Sequence, residues 1–120
     1  MEKKISDTNK KMNILITGAA GFIGFHTCFA QLNKKNNIIG IDNINSYYDV
    51  KLKKARLKIL MESKNFTFIK SDIQNRKLIS KLKKNKIDII INLAAQAGVR
   101  HSLKDPYTYI NSNILGQLNM

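Results

Sequence analysis

The sequence predicts an α/β protein built on a doubly wound parallel sheet of about four strands. Three observations carry that expectation. Short β-branched runs recur at residues 14–16, 38–41, 66–69 and 87–91, and their length and lack of strict alternation fit strands covered on both faces. Segments with the helical spacing of apolar residues lie between them. The first run leads directly into a glycine-rich turn, Thr17-Gly18-Ala19-Ala20-Gly21-Phe22-Ile23-Gly24. The order β-α-β-α-β-α-β implies right-handed crossovers and an open sheet.

The elements follow in chain order. Residues 1–11 are polar and charged with no apolar stretch, so a flexible N-terminal tail is expected before a single domain over residues 12–120. The first helix has Phe22, Phe25, Phe29 and Leu32 as its apolar face, the second Leu52, Ala55, Ile59 and Leu60, and the third Leu78 and Leu82. After the fourth strand comes a loop of small residues, 94–98, and Pro106 stands where a helix can open at its first turn. The last residues carry no usual helix stop signal. The chain is therefore expected to be truncated within that helix, as the N-terminal half only of the fold.

At 120 residues the chain can bury the core of one small domain. Its 43% hydrophobic and 24% charged composition is that of a globular protein. The formal net charge of +13 raises nucleic acid or an anionic surface as a partner. The lysines are scattered, however, and the dense runs at residues 51–58 and 81–86 fall on expected solvated helix faces without interleaved aromatics. Neither a nucleic-acid partner nor a membrane is expected. Cys28, the single cysteine, reads as a buried, inert thiol on the first helix, and a cytoplasmic location is expected.

The glycine turn carries chemistry. Gly18 permits the tight turn, Gly21 lets the backbone approach a pyrophosphate, and Gly24 allows helix to pack on strand, in the manner of a Rossmann-type dinucleotide site. Free N–H groups at the helix start, together with its dipole, can hold phosphates. Asp42 closes the second strand, where a carboxylate accepts from both ribose hydroxyls and repels a 2′-phosphate, so NAD is favoured over NADP.

The segments Ile41-Asp42-Asn43-Ile44-Asn45-Ser46-Tyr47-Tyr48-Asp49-Val50-Lys51-Leu52-Lys53-Lys54-Ala55-Arg56-Leu57 and Asn92-Leu93-Ala94-Ala95-Gln96-Ala97-Gly98-Val99-Arg100 resemble the NAD-dependent epimerase/dehydratase family, the extended short-chain dehydrogenases, and within it the UDP-glucuronate 4-epimerases. The glycine turn, Asp42 and Leu93-Ala94-Ala95 are its broad signals; Tyr-Tyr-Asp-Val and Gln-Ala-Gly-Val-Arg are the narrow ones. The resemblance implies that Phe22 and Ile23 offer N–H groups to the pyrophosphate and that Asp42 and Asn43 hold the adenosine ribose. It further implies that Asp72 and Ile73 flank the adenine, that Leu93, Ala94 and Ala95 lie along the nicotinamide, and that Asn113 stands near the nicotinamide ribose. Gln96 to Arg100 would face the sugar nucleotide, with Gly98, Val99 and Arg100 as the binding residues and Arg100 suited to bind a phosphate or carboxylate bidentately. The family works as a homodimer, which a chain ending in that helix is not expected to form.

In that family a Tyr-x-x-x-Lys pair and a Ser or Thr move the protons while NAD takes a hydride from sugar C4 and returns it. Tyr47 and Lys51 match the letters but fall after the second strand, on the adenosine side, and are read as coincidence. The sequence thus reads as the NAD-binding part of an epimerase lacking its catalytic residues and sugar-binding region. A non-catalytic nucleotide-binding module and a basic polyanion binder are the rival readings. His26 and His101 lack partners at metal-ligand spacing, and no metal site is expected.

Overall fold

The computed structural model describes residues 10–120. Of the tail expected over residues 1–11, residues 1–9 lie outside the described residues, while Lys10 and Lys11 are exposed. Four strands form one parallel sheet: β1 (Asn13–Thr17), β2 (Asn37–Asp42), β3 (Phe66–Lys70) and β4 (Ile89–Asn92), in the order β3-β2-β1-β4. In register, Ile14 lies opposite Ile38 on one side and Ile89 on the other. The chain therefore starts at the middle of the sheet, winds outward through β2 and β3, and returns to place β4 against β1. This is the Rossmann-type winding, and its reversal of direction leaves a crevice beyond the carboxyl ends of β1 and β4.

Helix α1 (Phe22–Asn33) and helix α2 (Val50–Leu60) cover one face of the sheet. There Ile14, Ile16, Ile38 and Phe66 pack with Cys28, Leu57 and Leu60. On the other face Leu15, Ile39 and Ile41 meet Ile73 and, from α3 (Lys77–Leu82), Leu78 and Leu82, with Met120 packed against them. Beyond β4 the chain forms α4 (Val99–Lys104), α5 (Pro106–Tyr109), a wide π-helical turn (Ile110–Leu115) and α6 (Gly116–Asn119). Pro106 does open its helix at the first turn, behind Asp105, whose carboxylate accepts from the Thr108 N–H and hydroxyl. Those two hydrogen bonds, the hydroxyl's first, hold the Asp105 carboxyl below its ordinary range.

Two expected helix faces need correction. In α1 the buried residues are Gly24 and Cys28, with Phe25 and Leu32 packed beside them. Phe22 and Phe29 are exposed, because only small side chains fit where α1 crosses close to the glycine turn. In α2 the buried set is Lys53, Leu57 and Leu60, while Leu52, Ala55 and Ile59 face outward. Lys53 is thus no part of a solvated face: its ammonium donates to the backbone and side-chain carbonyls of Asn45 at 3.1 and 3.0 Å, which offsets the cost of covering it. Coverage on both faces holds for β1 and β2 and fails for β4, where Ile89 and Ile90 are exposed. Among the described residues β4 pairs only with β1 and forms an edge of the sheet.

Candidate functional site

A cavity of about 620 Å³ opens beyond the carboxyl ends of the strands, a size usual for small-molecule sites. Its wall joins the glycine turn, the end of β2, the loop entering α2, the segment after β3 and the loop after β4. The turn is built by backbone constraints. Gly18 has φ +72°, a Cβ there would press on the Leu93–Ala94 backbone, and a Cβ on Gly24 would overlap the Gly18 carbonyl. The Gly18 and Ala19 N–H groups donate to the Ile41 carbonyl at 2.7 and 3.1 Å, fixing the turn on β2. Gly21 caps α1 with no side-chain hydrogen bond and no acid in the first turn. The N–H groups of Phe22, Ile23 and Gly24 have no acceptor among the described residues. They leave a positive helix end on the cavity wall.

Asp42 is buried, and each carboxylate oxygen accepts a backbone hydrogen bond: from the Ala20 N–H at 3.0 Å and from the Ile44 N–H at 2.8 Å. The Ala20 carbonyl in turn accepts from Arg56 at 3.1 Å, and that guanidinium stands 6.0 Å from the centre of the Phe22 ring. One residue of the turn, Ala20, is therefore held on both sides, its N–H by an acid of β2 and its carbonyl by a base of α2. Beside it, the Asn43 amide donates to Asp72 at 2.6 Å, tying the end of β2 to the segment after β3. Ile73 is buried against Gly116, and its carbonyl accepts from Asn119.

On the far side the buried Thr17 hydroxyl accepts from the Leu93 and Ala94 N–H groups, both at 3.0 Å, and donates to Asn92. This fixes how the chain leaves β4. Gln96 is buried, and its N–H and carbonyl are both held by the Asn113 side chain, at 2.7 and 3.2 Å.

Gly18, Gly21, Phe22, Ile23, Gly24, Asp42, Asn43, Asp72, Ile73, Leu93, Ala94 and Ala95 all come together on the cavity wall. Asn113 does not: its side chain is engaged with Gln96, and the neighbouring Ser112 lines the cavity instead. Gly98, Val99 and Arg100 also lie off the wall, which ends at Ala97. At Gly98 φ reaches +95° and turns the chain into α4, so that Val99 and Arg100 are exposed.

Arg56, Lys53 and Tyr47 line the cavity without having been singled out for it, while of the segment 96–100 expected at the sugar nucleotide Gln96 and Ala97 do line it. For Lys53 and Arg56 the available signal was their spacing with Leu57 and Leu60, a stripe that turns toward the sheet. Around Gly98 an aromatic cluster forms. Tyr47 stacks edge-on with Tyr48 at 4.8 Å, lies 5.1 Å from His101, and Tyr109 donates its hydroxyl to the Gly98 carbonyl. Desolvation, then the nearby Tyr47 and Tyr48 hydroxyls, raise the Tyr109 hydroxyl above its ordinary range. Among the described residues no three metal-binding side chains gather, and no helix is long and apolar enough to cross a membrane.

A parallel sheet whose first crossover opens on a glycine turn, with a buried acid ending the second strand, defines an α/β protein of the short-chain dehydrogenase class. A family model described as GDP-mannose 4,6 dehydratase matches residues 15–120, and the chain belongs to this NAD-dependent epimerase/dehydratase family. It is 47% identical to Protein CapI of Staphylococcus aureus over 91% of this chain and 33% of that protein. It is 44% identical to the UDP-glucuronate 4-epimerase of Thermodesulfobacterium geofontis over 88% of this chain and 33% of that protein. The structure of UDP-glucuronic acid 4-epimerase from Bacillus cereus, in complex with UDP-glucuronic acid and NAD, superposes with a TM-score of 0.80 at 40% identity, covering 90% of this chain and 34% of that one. The chain spans between 25% and 35% of the length of the curated relatives it matches.

Proposed function

We propose that the chain is the NAD-binding part of a nucleotide-sugar 4-epimerase acting on UDP-glucuronate and UDP-galacturonate through a 4-keto sugar. The observation that supports this most is the cavity itself. Unpartnered N–H groups at the start of α1 share its wall with Asp42 and with Leu93, Ala94 and Ala95, in a chain 40% identical to an epimerase solved with NAD and UDP-glucuronic acid. When bound, NAD supplies the acceptor and donor of a hydride at the sugar's C4.

The chain's own residues supply binding and orientation. The N–H groups of Phe22, Ile23 and Gly24 take the diphosphate on the positive end of α1. Asp42 keeps lone pairs on both oxygens beyond its two backbone bonds. These accept from the adenosine ribose, and the same charge disfavours a 2′-phosphate. Asn43 joins Asp42 at the ribose, Asp72 and Ile73 border the adenine, and the small Ala94 and Ala95 with Leu93 admit the nicotinamide. Asn113 acts through Gln96, by setting the path of the loop. Arg100, exposed on the first turn of α4, is available to the anionic nucleotide sugar. A cytoplasmic setting suits the single, unpaired Cys28.

Tyr47 and Lys51 do not serve as the proton-transfer pair on this reading. Lys51 is exposed and off the cavity wall, and the Tyr47 hydroxyl lies against Gly98. On this reading neither the proton-transfer pair nor the complete sugar site is among these 120 residues, and the chain alone is inactive. Titration calorimetry tests the first part: NAD binds, NADP binds at least roughly tenfold more weakly, and Gly21→Val abolishes both. Incubation with NAD and UDP-glucuronate, followed by separation of the nucleotide sugars, tests the second. Absence of NAD binding overturns the cofactor reading, and turnover above a heat-killed control overturns the inactivity.

A further inference from the structure

The two sequence segments that distinguish this chain from a general dinucleotide-binding protein, around Tyr47-Tyr48 and around Gly98, are needed neither for the sheet nor for the glycine turn. They lie 50 residues apart, and in the structure they meet. Tyr47 comes from the loop after β2, whose backbone is anchored on both sides: Lys53 holds the Asn45 carbonyl, and Asp49 caps α2 through the Lys51 N–H. Between those anchors the Tyr47 ring reaches across to the other loop. It stops against Gly98, where a Cβ would overlap its hydroxyl, and against the His101 ring at 5.1 Å. Gly98, at φ +95°, is held in place by the Tyr109 hydroxyl on its carbonyl.

We infer that Tyr47, Gly98 and His101 form a clasp that closes the ring of chain around the cavity and slows exchange of a bound dinucleotide. Tyr47 lines the cavity, whereas Gly98 and His101 stand outside its wall, so the contact joins the adenosine side to the far loop from without. Tyr47 is 42% exposed, so the join is a meeting of two surface loops and separates without disturbing the core. The chemistry explains the need for it. A hydride that is removed and then returned to one carbon requires the cofactor to stay in place between the two transfers. The inference rests on the NAD-binding reading of the cavity.

Release kinetics of NADH test it. The chain is loaded with NADH, chased with excess NAD, and the loss of nicotinamide fluorescence is followed by stopped flow; association is measured separately. His101→Ala, which removes a ring that does not touch the cavity, speeds release on the order of fivefold. It speeds association as well, because a gate opens in both directions. Tyr47→Ala gives at least the same acceleration, and adding His101→Ala to it gives no more. Gly98→Ala, which drives Tyr47 off, acts in the same direction; where that variant fails to fold by thermal melting, the surface substitution His101→Ala carries the test. Wild type that binds NADH while His101→Ala leaves both rates unchanged overturns the clasp, as does simple additivity of the Tyr47 and His101 effects. Wild type that binds no NADH overturns the cofactor reading, and the clasp with it.

Discussion

β2 and β4 are both short runs of isoleucine, and they sit in opposite surroundings. Ile38 and Ile41 of β2 are 1% and 0% exposed, whereas Ile89 and Ile90 of β4 are 39% and 44% exposed. The residues are equally good strand formers. What differs is position. β2 lies between β1 and β3 under helices on both faces, and β4 has β1 on one side alone. The cavity takes a wall from each region. Its glycine turn and Asp42 are fixed to the covered half, while residues 93–97 are fixed by single side chains, Thr17 and Asn113. The geometry of the glycine turn thus comes from packing, and that of the wall after β4 from a few polar ties.

The largest test of that contrast is a pair of truncations. Ile16→Ala, at a fully buried site of β1, should cost about 2–5 kcal/mol through lost burial and a cavity. Ile90→Ala should cost less than about 1 kcal/mol. Urea unfolding measures both, and equal costs would mean that β4 is as covered as its neighbours. A second pair compares the ties. Asp42→Ala, which leaves two backbone N–H groups without their charged acceptor, should destabilise the chain by about 2–3 kcal/mol without any ligand. Asn113→Ala should cost about 1 kcal/mol.

The third test uses Cys28 as a chemical probe of the covered half. Burial pushes its thiol from the ordinary 9.0 up to about 12. The folded state therefore keeps a proton that the unfolded state loses above pH 9. The stability it contributes is fully present below pH 9 and is lost as pH rises toward 12, by about 1.4 kcal/mol per pH unit. Cys28→Ala should lack that component of the slope, and native Cys28 should resist thiol reagents until the chain unfolds. A wild-type slope identical to that of Cys28→Ala would place the thiol in water.

The four strands and their order along the chain were legible because β-branched runs between helical spacings have few other solutions in a fold of this size. The glycine turn and Asp42 were legible for a related reason: backbone closeness at Gly18 and Gly24 leaves no choice of residue. Helix faces were less so. In α1, Phe22 and Phe29 make as good a periodic stripe as Gly24 and Cys28, and spacing does not reveal that the small residues face in. In α2, burial of Lys53 depends on the Asn45 carbonyls, which only the folded loop brings near. Arg56 escaped because its partner, the Ala20 carbonyl, is 36 residues away. Spacing also does not tell Asn113 from its neighbour: Ser112 lines the cavity and Asn113 ties the loop.

That division between Ser112 and Asn113 follows from how the final helix is wound. Tyr107, Ile110, Ile114 and Leu118 are all exposed, and the steps from Ile110 to Leu118 are of four residues each. In an α-helix eight residues overshoot two turns by about 80°, which would sweep such a row around the cylinder. The wide turn over Ile110–Leu115 spends more residues on each revolution and takes up much of that overshoot. Winding therefore acts as a sorting device. It keeps the bulky apolar row to one side and brings Ser112, Asn113 and Gly116 round to the other, so that the cavity's far wall depends on the pitch of a helix as much as on the identity of the side chains it carries.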